Sequence, residues 1–233
     1  VSDWSSDVCS SDLNLSEAGA SPAVVEARRA QLGLDVPPLE QYLRYMAGLV
    51  TGSLGVSLLD GRPVAEILGQ PAFSTLQLAL AAGLITLLGG LPLGMLAASR
   101  GRGALPGRLV LGLMMSVPIL WTGTLALSAI GPMRTGVVGD LLLPALLLGL
   151  SGAGAFGLVT ERAIAETQAQ PFVRTARAKG LRERDVQWRH VLRASAGTLL
   201  VAYMLQFGFL LSGAVLIEAL FNRSGIGRLL VQT

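Results

Sequence analysis

Four long runs without any charged residue constrain this chain more than any other feature. The runs cover residues 71–99, 109–133, 141–160 and 194–217 of a 233-residue chain. A helix rises roughly 1.5 Å per residue, so about 20 apolar residues cross the roughly 30 Å hydrocarbon core of a bilayer. The composition is 52% hydrophobic and only 14% charged, whereas about 25% of the residues of a soluble domain are charged. We therefore predict an all-α, polytopic helical membrane protein with four spans, at about 73–99, 109–131, 141–163 and 194–217.

The charges between these runs predict how the spans are oriented. Lys and Arg number 3 after the first run and 8 after the third, but only 1 in the 134–140 link and 2 after residue 217. Short loops that are rich in Lys and Arg stay on the cytoplasmic side of a membrane. We therefore expect the loops after the first and third runs to be cytoplasmic, and residues 14–72 to lie outside.

The most basic stretch, residues 161–193, is called the basic segment below. It holds 8 of the 18 Lys and Arg residues of the chain. Pro171 is suited to the first turn of a helix, where a backbone N–H is not needed. Phe172, Val173 and Ala176 follow at helical spacing and predict a small apolar face.

The basic segment also contains a helix-ending signal and a second helical stretch. Gly180 is the residue type that accepts the left-handed conformation at a helix end. The following stretch, 182–192, has apolar residues among its charges, at Val186, Trp188 and Val191. Two short helices that meet at a glycine favour a docking element. The alternative is a solvated positive loop that only fixes the topology.

Sequence motifs in the basic segment resemble a known family. RTARAKG at 174–180, with RHVLR at 189–193, is similar to the cytoplasmic loop of ABC-importer permeases, and most similar to the dipeptide, oligopeptide and nickel branch. In that family the loop forms a coupling helix that sits in a groove of the cytosolic ATPase. The resemblance implies that 161–193 is the coupling loop, with these ATPase-coupling residues: Phe172, Val173, Arg174, Thr175, Ala176, Arg177, Lys179, Gly180, Arg189 and His190. One departure is Thr198, which stands where the family has a proline.

Other stretches extend the resemblance to most of the chain. GSLGVSLLDGRPVAEIL at 52–68 and the tail after residue 217 are similar to extracytoplasmic parts of the same branch, although Arg223 and Ser224 replace a Trp-Pro pair. SVPILW at 116–121 resembles a family stretch in which proline breaks a helix near mid-membrane. The candidate pathway-lining residues are Ser116, Pro118, Trp121 and the intramembrane Gln206. The alternatives are a simple proline kink and a glutamine that holds helices together.

Small residues at four-residue spacing predict close helix contacts. Such spacing occurs at Gly90 and Gly94, at Gly149, Ala153 and Gly157, and at Gly208 and Ser212. Small side chains let two membrane helices approach closely. We interpret these stripes as packing surfaces rather than binding sites.

The ends of the chain have separate interpretations. DWSSDVCSSDL at 3–13 resembles a translated sequencing adapter, so residues 1–13 and the single cysteine, Cys9, are excluded as a non-native segment. By the resemblance, 14–72 is an extracytoplasmic segment and 73–233 is the transmembrane permease domain. The family has a further span at each end, so the chain is expected to be a fragment without the first and last spans.

No catalytic chemistry is visible in the sequence. No GxxxxGKS or GxxxxGKT motif is present to hold ATP phosphates, and one histidine with one cysteine predicts no metal site and no cofactor. Glu161 and Glu166 are interpreted as solvated charges on a cytoplasmic loop. We predict a non-enzymatic subunit.

The predicted function is that of the permease subunit of an ABC importer for dipeptides or oligopeptides, in a bacterial or archaeal plasma (inner) membrane. The implied partners are a second permease, two cytosolic ATP-binding subunits, an extracytoplasmic solute-binding protein and membrane lipid, with no nucleic acid.

One alternative is a permease of the same family for nickel or another small solute. A secondary transporter or channel is a further alternative, but the four runs lack the ionisable residues that it would need. A membrane scaffold without transport activity does not explain the docking motif.

Overall fold

The computed structural model describes residues 37–57, 61–99, 101, 103–130 and 138–232. Within these residues all regular secondary structure is helical, apart from an isolated β-bridge between Val56 and Pro63. The predicted all-α fold class is confirmed. The segment 1–13 and most of the 134–140 link lie outside the described residues.

The chain divides into two compact units, Val1–Ile67 and Leu68–Thr233. In the described part of the first unit, helix α1 (Pro38–Val50) has proline at its first position, where the missing N–H costs nothing. A tight loop follows, in which the Ser57 N–H donates a hydrogen bond of 2.8 Å to the Arg62 carbonyl. Glycines in this loop adopt the left-handed conformation that tight turns need, with φ of 78° at Gly55 and 68° at Gly61.

Eight further helices follow in the described residues, most of them in the second unit. They are α2 (Val64–Ala97), α3 (Ala104–Ser116), α4 (Ile119–Ile130), α5 (Leu143–Gln168), α6 (Pro171–Ala178), the single turn α7 (Glu183–Asp185), α8 (Leu192–Phe221) and α9 (Ile226–Gln232). Two π-helical turns, Val138–Leu142 and Val186–Val191, lead into α5 and α8.

The described residues include three helices that are long and apolar enough to cross a membrane, or four spans if one bent pair is counted as a span. The bent pair lies where one span was expected at 109–131, and its break is at the proline where the family resemblance implied one. Its halves, α3 and α4, meet at an angle of 83°, on either side of Val117 and Pro118. Proline lacks the N–H that would continue the helix and clashes with the preceding turn, so the break coincides with Pro118.

The long helices extend beyond the predicted spans. Helix α2 starts nine residues before 73 and continues through Pro71 and Pro92. Helix α5 runs past residue 163 to Gln168, because its buried stripe continues through Ala163 and Ile164. The first eight residues of the basic segment, 161–168, therefore belong to α5 and not to a loop.

Small residues bring α2 and α5 into close contact, as the stripes predicted. A Cβ atom added to Gly94 would lie 2.6 Å from the carbonyl oxygen of Gly157 and 2.6 Å from the Cβ of Thr160. Neither glycine leaves room for a side chain. The Thr86 hydroxyl donates a hydrogen bond of 3.0 Å to the carbonyl of Gly149 across the same interface. Close packing and interhelical hydrogen bonds are the interactions that hold membrane helices together.

The stripe predicted on α8 behaves differently. A Cβ atom added to Gly208 would meet nothing within 4 Å, and Ser212 is exposed, with its hydroxyl directed at the Gly208 carbonyl of its own helix. The interpretation of Gly208 and Ser212 as a packing surface is wrong for the described residues. Helix α8 instead packs on α5 through Leu210 and Ala214, which lie on its opposite face.

Candidate functional site

The loop between α5 and α8, residues 169–191, is called the docking loop. Its first helix, α6, has proline at its first position, as predicted. The helix has two distinct faces. Val173 and Ala176 are buried, with 0% and 6% of their surface exposed, whereas Arg174 and Thr175 are exposed to solvent. One side of α6 therefore packs on the protein, and the other side faces solvent.

The apolar face predicted for α6 needs one correction. Phe172 is 45% exposed, so it does not share the buried face of Val173 and Ala176. Positions 172 and 176 are about 40° apart around a helix, so Phe172 borders the buried side, and its exposure follows from how α6 packs on the protein. Phe172 is an exposed apolar residue at the edge of the buried face.

The predicted left-handed end of α6 is confirmed. Gly180 has a φ of 77°, and its N–H donates a hydrogen bond of 3.0 Å to the Arg177 carbonyl. A Cβ atom at Gly180 would meet nothing within 4 Å. The requirement for glycine therefore comes from backbone conformation and not from lack of space.

The second half of the docking loop is anchored by apolar residues. Val186 and Val191 are fully buried, in a cluster that also contains the buried residues Ala98, Ala163, Ile164, Val173, Ala176 and Leu199. Trp188 and Arg189 are exposed, and His190 is half-buried. The six-residue π-helical turn adds a residue to the helical repeat and leads the chain directly into α8.

A polar network joins the two halves of the docking loop to α5. The Nε and Nη2 atoms of Arg177 donate hydrogen bonds of 3.0 Å and 2.7 Å to the two carboxylate oxygens of Glu183. Gln187 donates to the same carboxylate at 3.1 Å, and the buried Gln168 of α5 donates to the Gln187 side-chain oxygen at 3.3 Å. The hydrogen bond with Glu183 raises the pKa of the Arg177 guanidinium, which stays protonated. Of these four residues, only Arg177 was predicted from the sequence.

The signal for part of this network was present in the sequence. Glu183 and Gln187 are four residues apart, a spacing at which side chains meet on one helix face. Their link to Arg177 crosses the turn at Gly180, and no local pattern predicts a contact across such a turn. Gln168 was placed in a loop, so its burial could not be anticipated.

The interpretation of Glu161 as a solvated loop charge is wrong. Glu161 lies on α5 with 15% of its side chain exposed and forms an ion pair with Arg108 of α3. Glu166 also lies on α5 and not on a loop, but it is exposed as predicted. The hydroxyls of Thr167 and Ser195 lie 2.7 Å apart and connect α5 to α8 beside the docking loop.

The four candidate pathway residues lie in two separate places, the break between α3 and α4 and the middle of α8. Ser116, Pro118 and Trp121 are exposed at the break between α3 and α4, and the Ser116 hydroxyl donates to the Gly112 carbonyl of its own helix at 2.7 Å. Gln206 is half-buried on α8, with its side-chain nitrogen 3.4 Å from the position that a Cβ atom on Gly152 of α5 would take. This position at a helix contact supports the alternative interpretation of Gln206 as a residue that packs helices together.

Glu218, at the end of α8, belongs to a buried polar junction that the sequence analysis did not predict. Its side chain is fully buried. The Oε2 atom accepts hydrogen bonds of 3.0 Å from the Thr75 hydroxyl and 3.0 Å from the Gly227 N–H. A Cβ atom on Gly225 would lie 2.1 Å from the Glu218 carboxyl carbon, so a side chain there would displace the Glu218 carboxylate. The junction fixes the short helix α9 to the beginning of the second unit, at Thr75 of α2.

Comparisons with known proteins agree with this architecture. Residues 90–233 match the model of the family described as "Binding-protein-dependent transport system inner membrane component". The chain is similar to the glutathione transport system permease protein GsiC of Escherichia coli O6:H1 (strain CFT073), with 34% identity over 92% of this chain and 73% of the relative. The GsiC protein of Salmonella paratyphi A is also 34% identical, with the same coverage.

A solved structure shows the same fold. The methionine ABC transporter MetNI, in an inward-facing conformation, contains a chain that superposes with a TM-score of 0.60 at 16% identity, over 72% of this chain and 81% of that chain. Together, the family match, the relatives and the long apolar helices identify a multi-pass protein of the bacterial inner membrane. The chain belongs to the family of binding-protein-dependent transport inner membrane components, the non-catalytic permease subunits of ABC importers.

Proposed function

We propose that this permease imports short peptides and that its docking loop transmits ATP-driven movement from a cytosolic ATPase to the membrane helices. The proposed complex contains a second permease subunit, two ATP-binding subunits and an extracytoplasmic solute-binding protein. Residues 14–72 face the binding protein, and 73–233 form the transmembrane domain. The docking loop and the loop after α2 lie in the cytoplasm.

The two faces of α6 are the observation that carries this proposal. The inner face is fixed to the membrane domain through Val173 and Ala176, which are buried with residues of α2, α5 and α8. Around this buried side, Phe172 and Arg174 of α6 and Lys179, which caps its end, are all exposed, so the accessible surface carries an aromatic ring and two positive charges. Aromatic and Arg side chains are enriched at protein interfaces, and positive charge favours a partner groove that carries acidic residues.

The proposed substrate class follows from the relatives. The GsiC proteins are named for glutathione transport, and glutathione is a tripeptide. Their similarity covers 92% of this chain, including the break at Pro118 where the family resemblance suggested a pathway wall. We therefore propose small peptides, with glutathione as the first compound to test.

The test uses the complete importer with Arg174 and Lys179 both changed to Glu. We expect the ATPase to be lost from the purified complex and uptake of labelled glutathione to fall at least ten-fold, while the permease accumulates normally, because both side chains are exposed and their replacement leaves the core intact. Arg162→Glu is the matched control, since Arg162 is exposed on α5 outside the docking loop. Normal ATPase recovery with the double variant would contradict the proposed docking face.

A further inference from the structure

The two halves of the docking loop share one apolar cluster, through Val173 and Ala176 on one side and Val186 and Val191 on the other, but the residues that connect them are not buried. Residues 179–182 join α6 to α7, and all four are exposed. At the centre of this connection, Gly180 has open space around its α-carbon and a φ of 77° that glycine adopts without strain. Side-chain packing at Gly180 therefore does not fix the angle between α6 and the segment that leads into α8, and the backbone hydrogen bonds there, such as that from the Gly180 N–H to the Arg177 carbonyl, stay within one half of the loop.

The Arg177–Glu183 pair crosses this connection. Two parallel hydrogen bonds, of 3.0 Å and 2.7 Å, join the guanidinium to both carboxylate oxygens. Such a bidentate arrangement fixes the relative orientation of two planar groups as well as their distance. Arg177 is on α6 and Glu183 is the first residue of α7, so the pair spans the exposed connection 179–182.

Further hydrogen bonds connect the pair to a membrane-spanning helix. Gln187 donates to Glu183, and Gln168 donates to Gln187. Gln168 is the last residue of α5 and is only 5% exposed. The network borders a cavity of about 510 Å³, whose other lining residues are Met95, Ser99 and Gly101. One continuous set of polar contacts thus reaches from α6 through α7 to the end of α5.

The exposure of the pair argues against a role in overall stability. The side chains of Arg177 and Glu183 are 26% and 58% exposed, and ion pairs at such surfaces contribute little to folding. The buried residues Val173, Ala176, Val186 and Val191 keep the docking loop folded. Breaking the pair should therefore leave the loop in place but allow α6 to change its angle.

We propose that Arg177 and Glu183 form a brace that holds α6 at a fixed angle to the segment leading into α8. This inference rests on the proposed function, in which α6 receives the movement of the ATPase. With the brace intact, α6, α8 and α5 move together as one rigid body when α6 is displaced. Without it, part of the displacement is absorbed by rotation at Gly180. Arg177 and Glu183 are positioning residues for coupling, and the ATPase contacts are made by the outer face of α6.

The first test measures the brace without transport. Spin labels are placed at Ala178 on α6 and at Thr198 on α8, two exposed positions, in the full-length permease in lipid nanodiscs with Cys9→Ser. We expect Arg177→Glu and Glu183→Arg each to widen the distribution of label distances at least two-fold. The charge-exchanged double variant, Arg177→Glu with Glu183→Arg, should restore most of the wild-type width. An unchanged width in both single variants would overturn the proposal.

The second test measures coupling in the reconstituted importer, as labelled glutathione imported per ATP hydrolysed. We expect each single variant to lower this ratio three- to ten-fold while the ATPase still co-purifies and hydrolyses ATP, and the double variant to recover it. Arg177→Lys should give an intermediate loss, because a lysine cannot form the bidentate contact. Arg162→Glu and Glu166→Arg control for the change of charge.

The outcomes separate the brace from the function on which it rests. Loss of the ATPase from the single variants would mean that the pair acts in docking, and would contradict the brace. A wild-type importer that takes up no labelled glutathione would count against the proposed substrate. In that case the widths of the distance distributions between the two spin labels would still show whether the brace exists.

Discussion

At the scale of single residues, Gly180 is the position where conformation alone decides which residue fits. Its φ of 77° and the empty space around it mean that a side chain would meet no neighbour. It would still strain the backbone, by about 1–2 kcal/mol. The strain is small compared with the stability of a membrane domain but falls on the connection between the two halves of the docking loop.

We predict that Gly180→Leu lowers ATP-driven uptake at least ten-fold without reducing the amount of inserted permease, because the strain moves α6 and leaves the spans unchanged. Uptake of labelled glutathione and ATPase co-purification are the measurements. Gly197→Leu is the matched control, since a Cβ atom at Gly197 also meets nothing within 4 Å and no positive φ is present. Equal uptake by the two variants would show that the left-handed glycine is dispensable.

Ala176→Glu tests a different property of the docking loop. Ala176 is 6% exposed, so a glutamate there would place a charge in the apolar cluster and loosen the docking loop. We expect faster proteolysis of the docking loop in this variant, measured with trypsin on the purified permease. The exposed neighbour Thr175→Glu should not change the cleavage rate, and equal sensitivity of the two variants would contradict the assigned faces of α6.

At Glu218 the requirement is for a hydrogen-bond acceptor, because the carboxylate is buried and has specific partners. We predict that Glu218→Ala destabilises the permease by about 1–3 kcal/mol, because the Thr75 hydroxyl and the Gly227 N–H lose their acceptor. Thermal unfolding in detergent is the measurement. Glu166→Ala, at an exposed position, should leave the midpoint unchanged. A Glu218→Ala midpoint equal to that of the wild type would argue against the buried junction.

At the scale of helices, the close approach of α2 and α5 defines the core of the second unit. We predict that Gly94→Ala destabilises the permease, because the added Cβ atom would lie 2.6 Å from the Gly157 carbonyl oxygen. Such overpacking costs about 1–3 kcal/mol, which exceeds the roughly 1 kcal/mol that alanine gains in helix propensity. Gly208→Ala, where space is open, should be neutral or stabilising. Thermal unfolding of both variants is the measurement. Equal unfolding midpoints would contradict the close packing of α2 on α5.

The sequence predicted those features of the helices that a single residue type imposes. Glycine stripes predicted the α2–α5 contact, Pro118 marked the break between α3 and α4, and Gly180 marked the end of α6. Each is a local steric property of the residue itself.

The end of α5, and the surroundings of the residues near that end, could not be predicted from a single residue type. Charges at positions 161–166 suggested a loop, but Ala163 and Ile164 extend the buried stripe of α5. That extension buries Gln168 and places Glu161 beside Arg108. The exposure of Phe172 follows from tertiary packing, because only the position of α6 on the domain decides which apolar residues are covered.

At the scale of the whole molecule, the proposed topology has the docking loop in the cytoplasm and Ser53, within the segment 14–72, on the outside. We predict that a cysteine at Thr175 reacts with a membrane-impermeant maleimide only from the cytoplasmic side, and a cysteine at Ser53 only from the outside. Both positions are exposed, and Cys9→Ser removes the background. Labelling of both cysteines from one side would contradict the topology.

The most direct test of the central claim is a cross-link from the outer face of α6. A photoreactive phenylalanine analogue at position 174 should cross-link to the ATPase in the assembled importer. The same analogue at Tyr42, an exposed residue of α1, should not. The account predicts an ATPase adduct from position 174 that is abolished by Lys179→Glu with Phe172→Ala. Absence of an ATPase adduct from position 174, in an importer that still takes up labelled glutathione, would contradict the docking role of α6.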